Sequence, residues 1–293
     1  MIAVRGLTKR FAEGRGIFEL TFGVKAGEVF GYLGPNGAGK STTLRHLMGF
    51  LRADSGTATI NNLDCWTEAP QVQASVGYLP GEIGFFDNMT GREFLDLLGR
   101  MRRHPYRDRR MELIDRFELD VNVPIRKMSK GMKQKVGLVA AVMHQPSVLI
   151  LDEPTSGLDP LMQQRFLELI LEEKSRGTTI LMSSHVFSEV ERVCDRVGII
   201  QQGTLVAVQD IHELRQVQRK VFTVRLVDPD DAVRLKAAGC RITRQHDREL
   251  DIEVQGNDNA VIKALAHVEV GTLDIHPLNL EAIFMQFYGR KEA

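Results

Sequence analysis

Residues 34–41 read Gly34-Pro-Asn-Gly-Ala-Gly-Lys-Ser41, which matches the spacing Gly-x4-Gly-Lys-Ser at every position. The apolar run Val29–Leu33 that precedes this stretch is typical of a buried β-strand, and the segment Thr42–Met48 that follows it has a helical pattern. A glycine-rich loop between a strand and a helix is the arrangement that binds nucleotide phosphates. The stretch therefore predicts a phosphate-binding loop in an α/β fold.

The residue types of this loop suit a phosphate chain for separate reasons. Glycines let the backbone curl so that successive N–H groups point inward, and the helix N-terminus adds about half a positive charge. We expect Lys40 to reach the terminal phosphates, the Ser41 hydroxyl to bind Mg²⁺, and Thr42 to bond another phosphate oxygen. The other residues predicted to contact the nucleotide are Gly34, Asn36, Gly37, Ala38 and Gly39.

Two acidic residues, Asp152 and Glu153, directly follow the apolar run Val148–Leu151. This pattern is typical of a buried strand whose tip enters a polar site. We expect Asp152 to join the Mg²⁺ shell and Glu153 to polarise an attacking water. A solvated acidic turn is the alternative for such a pattern by itself, but the phosphate-binding loop favours a hydrolytic site.

Many kinds of protein bind phosphate through such a loop, and the segment Met128-Ser-Lys-Gly-Met-Lys-Gln-Lys135 discriminates among them. It resembles the signature of ATP-binding cassette (ABC) proteins, whose usual form is Leu-Ser-Gly-Gly-Gln. Ser129 and Gly131 stand at the retained positions, whereas Lys130 replaces the first glycine and Met132 the glutamine.

Further landmarks of the ABC family occur in the family's order. Ser156-Gly-Leu-Asp159 resembles its D-loop, and Ser183-Ser-His185 resembles the strand end that carries its switch histidine. Phe11 stands where the family places an aromatic ring that stacks on adenine. The resemblance covers about residues 2–210 and implies ATP and Mg²⁺ as cofactors.

The resemblance also implies that two such domains pair head to tail. Ser129 and Gly131 of one copy would contact the γ-phosphate that Lys40 of the other copy holds. Asp159 would couple the two sites across the seam, and His185 would sense the γ-phosphate and hold the attacking water beside the catalytic carboxylate. Two or three charge-assisted hydrogen bonds per site, each contributing about 1.5–3 kcal/mol, would let ATP stabilise the dimer.

The activity implied by the resemblance is an ATPase that powers transport, most similar to the multidrug and antibiotic export type. The expected partners are separate membrane-spanning permease subunits and a second nucleotide-binding subunit, identical or different, with the chain peripheral at the cytoplasmic face of the membrane. A cassette ATPase acting on ribosomes or DNA is one alternative, but paired cassettes, coiled-coil inserts and zinc motifs are absent from the sequence. A module that holds ATP without turnover is another, and the intact lysine, carboxylates and histidine argue against it.

The sequence departs from the family pattern after Tyr78-Leu-Pro80. The family usually has glutamine at the next position, where it contacts the Mg²⁺–water shell, but this chain has Gly81 followed by Glu82. Either Glu82 supplies the contact to the metal shell through a small loop shift, or the contact is absent and hydrolysis is slower. We favour Glu82 as a partial substitute.

Apolar runs alternate with helical segments through the first two-thirds of the chain, which predicts an α/β fold with a largely parallel sheet. The candidate strands are Glu28–Leu33, Val76–Leu79, Val148–Leu151, Thr179–Ser183 and Val197–Gln201. Gly56–Ile60 followed by Asn61-Asn62 predicts a hairpin and an antiparallel β edge. Residues 85–145 are predicted to form an inserted helical subdomain, with Thr90 as an N-cap. Together these features predict a P-loop NTPase core over residues 1–217.

Residues 218–293 have a different pattern and are predicted to form a small accessory or regulatory domain. The predicted elements are the strand Val221–Val227, the helix Asp230–Ala238, the strands Cys240–Thr243 and Leu250–Val254, the helix Ala260–Ala266, the strand Val268–Ile275 and the helix Leu280–Tyr288. The order β-α-β-β-α-β is that of ferredoxin-like α+β folds.

Composition excludes several other classes of protein. Lys and Arg together number 38, as do Asp and Glu, so a net charge of zero offers no general attraction to nucleic acid. Cys65, Cys194 and Cys240 lie far apart, which indicates neither a disulfide framework nor a zinc site. We expect no membrane span, because no apolar run approaches the roughly 18 residues that one requires.

Overall fold

A computed structural model describes residues 1–102, 106–211, 213, 219–255 and 258–277. The chain divides into two compact units, Met1–Gln209 and Asp210–Ala293. The sequence analysis places the domain boundary eight residues later, after residue 217.

The first unit is built from strands and helices that alternate along the chain. Its strands are β1 (Ile2–Arg10), β2 (Gly16–Val24), β3 (Val29–Leu33), β4 (Ser55–Ile60), β5 (Leu63–Asp64), β6 (Val76–Leu79), β7 (Val148–Asp152), β8 (Thr179–Ser184), β9 (Arg196–Gln201) and β10 (Thr204–Asp210, which reaches the unit boundary). Its helices are α1 (Lys40–Leu47), α2 (Ala69–Ser75), α3 (Gly91–Met101), α4 (Arg107–Arg116), α5 (Lys130–Val142), α6 (Pro160–Ser175) and α7 (Phe187–Val193).

A six-stranded sheet in the order β10-β9-β3-β8-β7-β6 forms the centre of this unit. Its strands β9, β3, β8, β7 and β6 pair in parallel, as the sequence predicts. Every residue of β3, β7 and β8 is buried, which explains why these strands are mostly apolar. Because parallel strands end at the same edge, the loops after β3, β7 and β8 meet there.

A second, antiparallel sheet in the order β2-β1-β4-β5 packs beside the first. The predicted hairpin is confirmed: Ile60 pairs with Leu63, and Asn61 and Asn62 turn the chain with φ of 54° and 65°. The antiparallel strands therefore form a sheet of their own. The two sheets share one core, in which the ring of Phe22 stacks on two aromatic rings of β3.

The helices α3, α4 and α5 lie between β6 and β7 in the chain. Thr90 caps α3 and forms a reciprocal capping box with Glu93, as the sequence predicts. The buried guanidinium of Arg109 on α4 forms an ion pair with the buried carboxylate of Glu173 on α6. This pair ties the helical segment to the flank of the six-stranded sheet.

The second unit contains β11 (Arg219–Leu226), α8 (Asp231–Ala237), β12 (Arg241–His246), β13 (Glu249–Gln255), α9 (Asn259–Leu265) and β14 (Val270–Pro277). Its strands pair antiparallel in the order β12-β13-β11-β14. Apolar side chains of β11 and β13 pack against Leu235 of α8 and Leu265 of α9. The predicted helix Leu280–Tyr288 lies outside the described residues.

Helix α5 approaches β6 so closely that Gly77 has no room for a side chain. A Cβ at Gly77 would lie 2.0 Å from the carbonyl oxygen of Ala141. We expect Gly77→Ala to lower the free energy of unfolding by about 1–3 kcal/mol, because the helix must move away from the sheet. Gly84→Ala is the matched control, since no atom lies within 4 Å of its Cβ position, and it should change stability by less than about 0.5 kcal/mol. Urea denaturation of both variants measures the difference; equal stabilities would contradict the close packing.

Candidate functional site

A cavity of about 290 Å³ opens beside the glycine-rich loop between β3 and α1. The residues that line it are Phe11, Arg15, Gly16, Pro35, Asn36, Gly37, Gly39, Lys40, Ser41, Thr42 and Glu153. Gly39 adopts a left-handed φ of 108°, and a Cβ there would lie 2.8 Å from Cγ2 of Ile17. Glycine is therefore required at this turn of the loop. The cavity brings together eight of the predicted nucleotide-contacting and catalytic residues.

The remaining two predicted loop residues lie beneath this surface. A Cβ at Gly34 would lie 2.5 Å from the carbonyl oxygen of Ile200, and Ala38 is buried. These two residues seat the loop against β9, so that the neighbouring backbone faces the cavity.

Helix α1 begins at Lys40, which places Lys40, Ser41 and Thr42 in its first turn. The backbone N–H groups of a first helical turn have no carbonyl partner within the helix. Because the same three residues line the cavity, the helix N-terminus presents donors and partial positive charge to it. This arrangement suits an anionic ligand.

The Lys40 side chain is buried and folds back across the loop. Its Nζ donates hydrogen bonds to the carbonyl oxygens of Gly34 at 2.6 Å and Pro35 at 3.2 Å. Nζ also lies 3.0 Å from Oε1 of Glu153, in an ion pair. Thus the Lys40 cation at the start of α1 meets the Glu153 carboxylate from the loop after β7.

Ser183 organises the two carboxylates at the end of β7. Its hydroxyl donates to Oδ1 of the buried Asp152 at 2.5 Å and accepts a hydrogen bond from the backbone N–H of Glu153 at 3.0 Å. Glu153 has a left-handed φ of 49°, which a residue with a side chain rarely adopts. This turn directs the Asp152 and Glu153 side chains to separate places in the site.

His185 completes the arrangement from the end of β8. Its Nδ1 lies 2.6 Å from Oε2 of Glu153, so that the Glu153 carboxylate bridges Lys40 and His185. The imidazole is more than half exposed, and its ring extends from the protein surface. The predicted catalytic residues Lys40, Glu153 and His185 are therefore in direct contact.

Two buried residues behind this cluster were missed by the sequence reasoning. Glu189 on α7 accepts hydrogen bonds from Thr155 and Ser184, and its burial raises the pKa of its carboxyl above the ordinary value. Gln134 on α5 donates to the carbonyl oxygen of Pro154 at 2.8 Å. No sequence signal marks them as buried, because Gln134 lies between two lysines and Glu189 follows the exposed Ser188.

The signature-like residues do not line the phosphate cavity of their own chain. Ser129 caps α5 by accepting a hydrogen bond from the N–H of Met132 at 3.2 Å. Lys130 Nζ donates to the Ser156 hydroxyl at 2.9 Å, and a Cβ at Gly131 would lie 2.6 Å from the carbonyl oxygen of residue 157. The signature-like segment thus contacts the D-loop-like segment.

Asp159 has a local structural contact of its own. Its carboxylate caps α6 by accepting a hydrogen bond from the N–H of Met162 at 3.0 Å. Asp159 lies outside the lining of the phosphate cavity.

The loop after β6 brings Gly81, not Glu82, against the buried carboxylate. A Cβ at Gly81 would lie 3.1 Å from Oδ2 of Asp152. Glu82 is exposed and makes no hydrogen bond or ion pair within the described part of the chain. A role for Glu82 in metal binding therefore requires the loop shift that the sequence reasoning invoked.

The hydroxyl and carboxylate groups near the cavity suit a hard cation whose remaining ligands are oxygens of the nucleotide and of water. Among the residues that the structure describes, no three His, Cys, Asp or Glu side chains cluster closely enough to hold a metal ion. The Ser41 hydroxyl lines the cavity, and the Asp152 carboxylate at the end of β7 is the other predicted ligand group. Mg²⁺ characteristically binds one or two protein oxygens together with nucleotide phosphates and waters.

Comparison with known proteins identifies the family. The sequence profile described as "ABC transporter" matches residues 17–156. The linearmycin resistance ATP-binding protein LnrL of Bacillus subtilis is 31% identical over 310 aligned positions, which cover 99% of each chain. The chain belongs to the ATP-binding proteins of ABC transporters. As an ABC ATP-binding protein it is the ATPase subunit of its transporter.

Other relatives of this ABC ATP-binding protein agree. The bacitracin transport ATP-binding protein BcrA of Bacillus licheniformis is 33% identical over 92% of this chain and 86% of its own. A solved structure described as the ATP-binding subunit of an ABC transporter is 31% identical with a TM-score of 0.69, and the match covers 74% of this chain and 92% of that one. Within the described ranges, no helix has both the length and the apolar character needed to span a bilayer.

Ser183 offers a direct test of how the carboxylates are held. We expect Ser183→Ala to lower the free energy of unfolding by about 1–3 kcal/mol, because it leaves Asp152 and the Glu153 N–H each without a hydrogen-bond partner. The ATPase rate should fall by about tenfold or more. Ser175→Ala, which removes an exposed hydroxyl at the end of α6, is the control and should change neither quantity appreciably. Denaturation and phosphate release give the two readings, and wild-type values for Ser183→Ala would contradict this role.

Proposed function

We propose that this ABC ATP-binding protein hydrolyses ATP to drive export of an antibiotic-like compound through separate membrane-spanning subunits. The observation that carries the proposal is the contact of Lys40, Glu153 and His185 at one end of a cavity lined by a phosphate-binding loop. The export assignment is supported by relatives named for linearmycin resistance and bacitracin transport.

The shape of the cavity supports a specific placement of the nucleotide. Phe11 lines the cavity and remains 44% exposed, so its ring is available to stack on adenine. The phosphates bind to the loop backbone and the first turn of α1, with Lys40 as their cation. The Ser41 hydroxyl, and Asp152 through a water, would hold Mg²⁺, which would supply charge neutralisation at the transferred phosphoryl group.

The Lys40–Glu153 ion pair suggests how nucleotide binding prepares hydrolysis. A γ-phosphate is a stronger anionic partner for Lys40 than a single carboxylate, so binding releases Oε1 of Glu153. The carboxylate is then free to accept a proton from the attacking water while His185 holds Oε2. His185 thereby orients the carboxylate and lies within reach of the γ-phosphate.

The separation of the signature-like segment from the cavity supports a site shared between two copies. Ser129 is exposed at the N-terminus of α5, where its hydroxyl and the first N–H groups can receive a γ-phosphate held by a second subunit, identical or related. Asp159, at the start of α6, would lie near the seam and couple the two sites. Hydrolysis removes the shared phosphate and allows the dimer to open.

The partners of this dimer are membrane-spanning permease subunits, so the chain is placed peripherally at the cytoplasmic face of the membrane.

We assign the nucleotide-binding domain to residues 1–217 and an accessory, regulatory role to residues 218–293. The element order β-α-β-β-α-β and the antiparallel sheet order β12-β13-β11-β14 support a ferredoxin-like fold for this second domain.

Blocking hydrolysis should trap the dimer. We expect Glu153→Gln to lower the ATPase rate by at least a hundredfold and to form an ATP- and Mg²⁺-dependent dimer, alone or with its partner subunit, because the γ-phosphate bridge then persists. Light scattering with ATP and with ADP measures the assembly, and Lys40→Ala with Glu153→Gln is a control that should remain monomeric. A Glu153→Gln protein that stays monomeric under saturating ATP, with and without its partner subunit, would refute the shared site.

The unusual loop after β6 gives a separate prediction. If Glu82 reaches the metal shell by a loop shift, Glu82→Ala should lower the ATPase rate by about fivefold and raise the Mg²⁺ concentration needed for half-maximal rate, since one polar contact is lost. Glu68→Ala replaces a glutamate that binds the N–H of Asp64 on the antiparallel sheet, and it should leave the Mg²⁺ dependence unchanged. An unchanged rate and Mg²⁺ dependence for Glu82→Ala would rule out this role.

A further inference from the structure

We propose that Gln134 is a positioning residue that holds Glu153 in its hydrolytic orientation and links that orientation to the helix bearing Ser129. This inference rests on the proposed role of Glu153 in activating water. It adds a residue on α5, outside the phosphate cavity, to the groups on which the reaction depends.

The Gln134 side chain makes its contacts in a buried place. Its Nε2 donates hydrogen bonds to the carbonyl oxygens of Pro154 at 2.8 Å and Glu153 at 3.3 Å, and the residue is 5% exposed. A carbonyl that faces away from water must find a donor in the protein. Gln134 supplies that donor for both peptide groups that follow the catalytic carboxylate.

Glu153 needs such support because its backbone is strained. Its φ of 49° lies in the left-handed region, which persists for a residue with a side chain only when neighbouring contacts hold it. The Glu153 N–H donates to Ser183, and its C=O accepts from Gln134. The residue is therefore held on both sides, by β8 through Ser183 and by α5 through Gln134.

Helix α5 is well suited to transmit position because it packs closely and rigidly on β6. A Cβ at Gly137, one turn after Gln134, would lie 2.7 Å from a methyl group of Leu79. The same helix begins at the Ser129 cap, and five residues of helix separate Ser129 from Gln134 by roughly 7.5 Å along the axis. The proposed contact with the second subunit's phosphate and the contact with Glu153 thus belong to one rigid element.

The consequence is that closure of the two subunits around ATP is linked to hydrolysis of that ATP. When a γ-phosphate engages Ser129, the position of α5 is set against the second subunit. The Gln134 amide then carries that position to the peptide of Glu153, and the carboxylate is aligned only when the shared site is assembled.

The test compares Gln134→Met, which keeps the length of the side chain but removes the donor, with Gln164→Met as a matched control. Gln164 is exposed on α6, and its side chain bonds Glu168 in the next turn. We expect Gln134→Met to lower kcat by about ten- to hundredfold while the Kd for ATP changes less than about twofold. Gln164→Met should keep the wild-type kcat. A wild-type kcat for Gln134→Met would overturn the proposal.

A double-mutant cycle separates positioning of Glu153 from a general structural role. In the Glu153→Gln background, adding Gln134→Met should change the single-turnover rate by less than about twofold and leave ATP-dependent dimerisation intact. An equal loss of rate in both backgrounds, or loss of the dimer, would show that Gln134 acts elsewhere. If Glu153→Gln itself retains the wild-type rate, the proposed function fails and not merely this inference.

Gln134→Glu provides a second variant of nearly the same shape should Gln134→Met fold poorly. An ionised carboxylate repels both carbonyl oxygens, whereas the protonated acid can donate to one of them. We expect its kcat, relative to that of the wild type, to rise as the pH falls from 8 to 6. A relative kcat that is independent of pH and equal to that of the wild type would overturn the proposal.

Discussion

The register of the parallel strands β3, β8 and β7 is the constraint on which the site depends. Leu33 lies opposite Ser184, and Asp152 lies opposite Ser183, so the glycine-rich loop, the two carboxylates and His185 all leave the sheet at one level. A slip of one residue would turn every side chain of a strand to the other face. Because both faces of these strands are buried, such a slip would exchange every closely packed side chain for one of a different shape.

Given that register, electrostatics determines the arrangement of the charged groups. Lys40 is buried, and a buried cation is stable only when it is paired. Two loop carbonyls and the Glu153 carboxylate provide that pairing. In the proposed mechanism a triphosphate would compete for the same ammonium group and displace the Glu153 carboxylate. Nucleotide binding and preparation for hydrolysis would then be a single exchange of partners at Lys40.

The second half of the proposed site lies on different elements. Ser129 and Gly131 are held against the loop before α6, with Lys130 bonded to Ser156, and not against the phosphate cavity. Glycine, the usual residue at that position of the resembled signature, has no side chain to make the Lys130 contact. Helix α5 nevertheless contacts the backbone carbonyl oxygens of Glu153 and Pro154 through Gln134. The signature-like segment and the Glu153 peptide are thus joined by one helix within a subunit.

Sequence reasoning was sufficient wherever the chemistry is local to the chain. The spacing from Gly34 to Ser41 predicted the loop, the apolar runs predicted the strands of the parallel sheet, and Thr90 predicted the start of α3. These features depend on neighbouring residues, on backbone freedom and on the period of the hydrophobic pattern. Family resemblance then supplied candidates, such as Phe11 and His185, that no local pattern marks.

Contacts between residues far apart in the chain were decided only by the tertiary structure. Ser183 bridges to Asp152 across 31 residues, and Gln134 reaches Pro154 across 20. The sequence does not distinguish a buried polar residue from an exposed one. Its hydrogen-bond partner is known only once the packing of sheet and helix is known. The same holds for Gly81, whose closeness to Asp152 comes from the pairing of β6 with β7. Local stereochemistry specifies the helices and strands, whereas the hydrogen bonds that join Ser183 and Gln134 to the Glu153 backbone form only when distant segments of the chain pack together.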